Sequence, residues 1–260
     1  EGYELKCPPL VVKDKIITGI SGGEFGIRGF LEAYDPATGK KLWHWNAIPG
    51  PGEFGNDTWE GDSWQHGAGG TWLTGVYDPS LNLVYWTVGN PGPVINGDMR
   101  KGDNLFTSSV VAIDPETGQR KWHYQFTPND THDWDSTEDT ILVVRQWHGQ
   151  ARKLMLHADR NGVFYVLDRT NGKLLSATPF VRATWVKEWD ANGRPVFADN
   201  WRANAEGVTV YPSLGGGTNF QAPSYSSKTG WYYLVYHDSP GNYSAGPQPY
   251  EAGRQYQGRG

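Results

Sequence analysis

Apolar residues in this chain come in short runs separated by polar turns, and no long window keeps them at the 3.6-residue spacing of a helix. PPLVVKDKIITGIS reads as two β-rich runs on either side of the polar turn Lys13 to Lys15. In GFLEAYDPATGKKLWHW an apolar strand meets a D-x-x-T-G turn, and a second strand follows with Trp43 and Trp45. Asp35 suits that turn because its carboxylate can accept from its own downstream backbone, and Gly39 because it tolerates positive φ. The phrase returns in SSVVAIDPETGQRKWHY, where Asp114, Gly118 and Trp122 each stand 79 residues beyond Asp35, Gly39 and Trp43. Weaker copies surround Asp78 (GVYDPSLNLVYW), Asp168 (VFYVLDRTNGKLLS) and Thr229 (PSYSSKTGWYYLVY). Hairpins at intervals of 43, 36, 54 and about 60 residues match the blade spacing of a β-propeller, with insertions stretching some steps. The expected fold is therefore all-β: one domain over residues 1–260, built of four-stranded antiparallel blades, with about four to five blades of an incomplete ring.

Two polar segments rich in Gly and Pro interrupt the pattern. EWDANGRPVFADNWRANAEG is expected to be a surface excursion, and SPGNYSAGPQPYEAGRQYQGRG an open tail that supplies no closing strand. The 34 Gly and 17 Pro exceed average usage without a collagen-like period, and 14% aromatic residues argue against disorder, so they mark turns between many short strands. Thirteen Trp suggest indoles recurring at equivalent places in a repeated architecture.

Charge narrows the partners. The net charge is -5 and the 23 basic residues are scattered, so nucleic acid is not an expected partner. No apolar run approaches the roughly 18 residues that span a bilayer. Cys7 is alone, which excludes an internal disulfide and a cysteine metal cluster. The chain begins at Glu1, which leaves earlier loss of a leader open.

Candidate chemistry centres on HDWDST. A carboxylate between an indole and small hydroxyl residues, here Asp135, suits a proton acceptor, because partial desolvation raises its pKa towards the working range of a base. Other candidates are Glu24 in SGGEFG, Asn90 in TVGNP, Trp72 in GGTW and Arg160 in DRNG. Taken singly, each also suits a turn or a core position. His132 is expected on a solvent-facing loop near Asp135. Neither a zinc-type histidine spacing nor a phosphate loop ending in Lys then Ser or Thr is present.

In order along the chain, SGGEFGIRG, GGTW, TVGNPGP, RKGDNLFTSSVVAIDPETG, HDWD and HADRNGVFYVLDR resemble the pyrroloquinoline quinone (PQQ)-dependent alcohol dehydrogenases, quinoproteins built on an eight-bladed propeller. By that resemblance the D-x-x-T-G-x-x-x-W repeats are tryptophan-docking motifs between blades, and Ser176 takes the Trp position of the third copy. The resemblance implies Ca²⁺ held by Glu24, Asn90 and Asp135, with cofactor oxygens completing the six to eight ligands this ion takes. It implies Asp135 as general base, Trp72 as the platform on which PQQ stacks, Arg160 as donor to the quinone oxygens, and Ser21 and Asn219 as polar cofactor contacts. The implied reaction is oxidation of a primary alcohol by hydride transfer to PQQ, with a cytochrome c-type electron acceptor, in the periplasm. Two positions depart from the pattern: Lys6 stands where a threonine hydroxyl is usual, and Thr137 stands where lanthanide-using relatives carry an additional aspartate, which points to calcium. The family's adjacent-cysteine disulfide, a second cofactor arginine and several blades fall outside these residues. Alone, the chain is expected to self-associate. The competing expectation is a non-catalytic propeller scaffold without a complete cofactor site.

Overall fold

Three four-stranded antiparallel sheets follow one another in the computed structural model, which describes residues 2–260. The first contains β1 (Leu10–Val12), β2 (Lys15–Thr18), β3 (Phe30–Tyr34) and β4 (Lys41–Asn46), paired in that order. The second contains β5 (Val76–Asp78), β6 (Leu83–Val88), β7 (Ser109–Ile113) and β8 (Arg120–Gln125). The third contains β9 (Ile141–Trp147), β10 (Gln150–Ala158), β11 (Val163–Asp168) and β12 (Lys173–Pro179). The remaining strands form two-stranded ribbons: β13 (Val186–Trp189) with β14 (Pro195–Phe197), β15 (Val208–Val210) with β18 (Gly241–Tyr243), and β16 (Ser224–Tyr225) with β17 (Tyr232–Tyr233). No helix among the described residues is long and apolar enough to cross a membrane.

Strand alternation explains why the sheets stack face to face. Successive residues of a strand point to opposite faces, so a sheet buried on both sides needs apolar residues at every position. All five residues of β7 are buried: Val111 and Ile113 join Leu31, Ala33 and Trp43 of the first sheet, whereas Val110 and Ala112 join Met155, Tyr165 and Leu167 of the third. The far face of the third sheet, through Leu154, Leu156 and Val166, meets Tyr225 and Tyr232 of β16 and β17. This is the blade-on-blade packing of a propeller, in an arc of three complete sheets and a further hairpin.

The repeated motif makes the contact between neighbours. The Trp43 indole donates to the Pro115 carbonyl at 2.8 Å and lies against Gly118, where a Cβ would stand 2.7 Å from the ring. Trp122 lies in the same way against Gly172, at 2.5 Å. Each glycine also has positive φ, so it serves the turn and clears the neighbouring indole at once. The Asp78 hairpin has another place: it joins β5 to β6, at the start of the sheet whose later turn holds Asp114. Asp78 instead pairs with Arg169 of the third sheet at 2.6 Å, a buried tie between neighbours.

Two segments differ from expectation. The excursion folds back into the structure: Trp201 and Ala203 are buried in the core shared by the second and third sheets, and Trp189 and Phe197 pack against it. The tail is anchored, with the Val94 and Ile95 amides donating to the carbonyls of Tyr256 and Gln257, and the Tyr256 amide donating to that of Glu24. Its many glycines hid these anchors, because the contacts are made by backbone groups that leave no apolar period.

Candidate functional site

An antiparallel four-stranded sheet places its second-to-third turn and the connection to the next sheet at one end. Ser21 and Glu24 lie between β2 and β3, Asn90 between β6 and β7, and Arg160 between β10 and β11, all second-to-third connections. Trp72 lies between β4 and β5, and Asp135 between β8 and β9, both connections between sheets. Topology alone therefore gathers residues 139 positions apart in sequence, from Ser21 to Arg160, at one end of the arc. The D-x-x-T-G turns lie at the other.

Ser21, Glu24, Trp72, Asn90 and Asp135 line one cavity of about 240 Å³, together with Lys6, Gly22, Gly23 and Gly70. Glu24 sits on a short 3-10 turn, Gly23–Phe25, flanked by Gly22 and Gly26 at φ of 114° and 60°. Glycine is required at Gly22, because a Cβ there would fall 1.8 Å from the Gly2 carbonyl oxygen. Ser21 pairs with Glu4 through both backbone groups and donates its hydroxyl to the Glu4 carbonyl at 2.9 Å, which carries the first strand-like segment and Lys6 to the cavity rim. Lys6 there pairs with Glu4, whose hydrogen bond holds the ammonium pKa above its ordinary value.

Asp135 is aimed by a rigid loop. Asp130 accepts from the amides of His132 and Trp134, and the buried Trp134 indole donates to the Ser213 carbonyl at 3.1 Å. Asp133 and Ser136, on either side, take positive φ, which costs non-glycine residues on the order of 1–3 kcal/mol each and persists only where surroundings enforce it. One Asp135 oxygen accepts from the Asn90 amide at 3.1 Å, and the other pairs with Arg160 Nη1. A Cβ on Gly89 would stand 2.6 Å from Asp135 Oδ1, so this glycine makes room for the carboxylate. Burial pushes the Asp135 pKa up, while Arg160 and the Asn90 amide oppose the rise. The Asn90 side chain turns its Oδ1 towards Gly23, 3.4 Å from where a Cβ would sit.

Arg160 stands behind Asp135 at the tip of the β10–β11 turn, with Nη2 donating to the Leu214 carbonyl at 2.7 Å. Asn219 is not among the cavity-lining residues: its amide donates to the Gly215 carbonyl and its oxygen accepts from the Phe220 amide. The loop before it backs Arg160, through the Gly217 amide on the Arg160 carbonyl at 2.8 Å. His132 is fully buried rather than solvent-facing, stacked on Trp134 with ring centres 4.2 Å apart and its Nε2 on the Trp201 carbonyl. The excursion that covers it carries no period from which its burial could be read. Thr137 is buried and does not line the cavity. Sequence reasoning missed Asp133, whose carboxylate lies 3.9 Å from Arg160 Nη2. Burial and the Asp135 charge hold its pKa well above the usual range. The doubled aspartate of HDWD was the available signal.

Residues 1–180 match the PQQ family described as glucose/ethanol/alcohol dehydrogenase, beta-propeller domain. The chain is 42% identical over 256 residues to quinohemoprotein alcohol dehydrogenase ADH IIB of Pseudomonas putida, covering 93% of this chain and 37% of the relative. It is 38% identical over 282 residues to a lanthanide-dependent methanol dehydrogenase of Methylacidiphilum fumariolicum (strain SolV), covering 99% and 46%. Among solved structures, a europium-containing methanol dehydrogenase superposes with a TM-score of 0.93 at 37% identity, over 98% of this chain and 48% of that one. The chain thus spans less than half the length of these relatives. With sheets, interblade indoles and sequence in agreement, it belongs to the β-propeller family of PQQ-dependent glucose, ethanol and alcohol dehydrogenases.

Proposed function

We propose that this chain carries the cofactor-facing part of a PQQ-dependent dehydrogenase that oxidises a primary alcohol, with Asp135 as proton acceptor and a metal held by Glu24, Asn90 and Asp135. The convergence of these three residues with Trp72 on one cavity carries the reading. The donor set fits: two carboxylates and an amide are hard oxygen ligands, and three residues leave several of the six to eight Ca²⁺ positions for cofactor oxygens. Lining by Gly22, Gly23 and Gly70 beside the Trp72 indole leaves a side-chain-free wall suited to a flat ring system. When bound, PQQ supplies an electrophilic carbon that accepts hydride, made more reactive by the cation.

The chain's own residues supply position and proton transfer. Asp135 accepts the alcohol's hydroxyl proton; burial raises its affinity for that proton, and the cation beside it would oppose the rise. Arg160 and the Asn90 amide fix both its oxygens, so it reaches the substrate already oriented. Ser21 and Lys6 offer polar contacts at the rim.

Calcium is the first choice of metal, on the neutral Thr137. A trivalent ion is the second reading, supported by relatives named lanthanide-dependent and europium-containing methanol dehydrogenases. Location in the periplasm and electron transfer to a cytochrome c-type acceptor complete the proposal, the latter supported by relatives named quinohemoproteins. The test adds PQQ with Ca²⁺, or with La³⁺, to the intact protein and measures dye reduction by short alcohols. Turnover is expected with one of the two ions, and Asp135→Asn is expected to lower it about 10²–10⁴-fold, the usual contribution of a positioned base. Full turnover in Asp135→Asn would remove Asp135 from this role.

A further inference from the structure

Beyond the cavity, a second group of ligand-type side chains lies buried among the described residues. Glu138, His157 and Asp159 each offer one ligand atom, and those atoms all lie within 4.8 Å of one another. Exposure is 3% for Glu138 and 0% for the other two. Neither Glu138 oxygen has a hydrogen-bond partner, and neither does His157 Nδ1. His157 Nε2 lies 3.2 Å from Asp159 Oδ2, and Asp159 Oδ1 accepts from the Asn161 amide at 2.9 Å.

A buried carboxylate with two bare oxygens is costly unless something neutralises it. The neighbouring guanidinium of Arg160 has Nη1 on Asp135 and Nη2 on the Leu214 carbonyl, and its buried Nε makes no hydrogen bond, so Arg160 offsets part of the Glu138 charge without bonding either oxygen. Two carboxylates and a neutral imidazole carry two negative charges, the complement of a divalent ion. We propose that Glu138, His157 and Asp159 form a second, structural metal site for a divalent ion of the zinc class, separate from the cofactor cavity.

The donor set of one imidazole nitrogen and two carboxylate oxygens suits that class, with water as a fourth ligand. Tetrahedral bonds of about 2.0–2.2 Å hold ligand atoms roughly 3.4 Å apart, so small side-chain rotations close a set spread over 4.8 Å. The Phe126 ring stacks on His157 with centres 4.5 Å apart and fixes its plane, and the Asn161 amide hydrogen-bonds Asp159 and orients it. Glu138 lies on the connection to β9, His157 on β10 and Asp159 in the β10–β11 turn. An ion there would tie the Asp135 loop to the β10–β11 turn that carries Arg160. The three ligands differ from those of the cofactor cavity, so the site stands or falls apart from the proposed dehydrogenase function.

The test measures metal content of the intact protein by mass spectrometry after EDTA treatment and dialysis against Zn²⁺, with Co²⁺ as a spectroscopic stand-in. Wild type is expected to retain one zinc per chain and to show visible Co²⁺ bands. Glu138→Gln and Asp159→Asn are expected to weaken zinc retention at least tenfold, whereas Glu24→Gln keeps it. Zinc is expected to raise the wild-type melting temperature and to leave Glu138→Gln unchanged, which covers a variant that is merely less stable. No zinc uptake by wild type, in favour of a proton shared by the three groups, would overturn the site. So would full retention in both variants, or a zinc-induced rise that persists in Glu138→Gln.

Discussion

Asp133 and Glu138 both carry pKa values well above the ordinary 3.8 and 4.5, chiefly because burial disfavours their charged forms. A carboxyl group with a raised folded-state pKa binds its proton more tightly in the folded than in the unfolded chain. Its contribution to stability is fully present below the ordinary value and is lost as pH rises through the folded value. Metal-free protein is therefore expected to melt at lower temperature as pH rises above about 6.5, where His123, its pKa lowered by burial from 6.5 to about 4, no longer opposes the decline. Glu138→Gln, permanently neutral, should flatten part of that decline, with each kcal/mol worth on the order of 2–4 °C. A cation beside these groups reverses the preference, so metal-loaded protein should show a shallower decline. Melting curves across pH with and without EDTA check this, and a melting temperature that rises over that range in EDTA would contradict the burial argument. At this scale much was legible in the residues: Glu24, Asn90, Trp72 and Asp135 do share a cavity. The commitment of Asn219 to its own loop and of Arg160 to Asp135 was not, because hydrogen bonds between distant loops leave no mark on local spacing.

At the scale of the element, the sheets were legible because their turns repeat chemically. Asp at the start and Gly at the positive-φ position recur in the hairpins after β3, β7 and β11. Asp78 shows the limit of that reading, since an Asp-containing turn between the first two strands of a sheet looks locally like one between the last two. The repeated tryptophan settles which turn is which. Trp43 fills a slot on the second sheet, and truncating such an indole removes a large buried surface. Trp43→Ala is expected to destabilise by about 3–5 kcal/mol. Ser176→Ala, at the matching place in the third copy, should change stability by less than about 1 kcal/mol, because no indole is docked there. Urea unfolding of both variants checks the contrast, and equal losses would show that the motif has no role between sheets.

Over the whole molecule, the arc of sheets and the end at which the site forms follow from strand order alone, since second-to-third turns and inter-sheet connections fall together. The anchored tail and folded excursion did not show in the sequence, because irregular backbone carries their contacts. Around β16 and β17, Phe220, Trp231, Val235 and Tyr236 are all at least half exposed. Apolar patches of this kind are seldom left open on isolated proteins. A polypeptide of residues 1–260 alone is expected to self-associate in light scattering, and a monodisperse species of 29.0 kDa would count against that. The central claim is that Glu24, Asn90 and Asp135 hold a cofactor-linked cation in one cavity. Anomalous diffraction from crystals of the intact protein grown with PQQ and La³⁺ or Ca²⁺ tests it most directly. The account predicts a metal peak in that cavity, contacted by Glu24 and Asn90 with PQQ stacked on Trp72. A cofactor-linked peak that touches neither Glu24 nor Asn90 would contradict it.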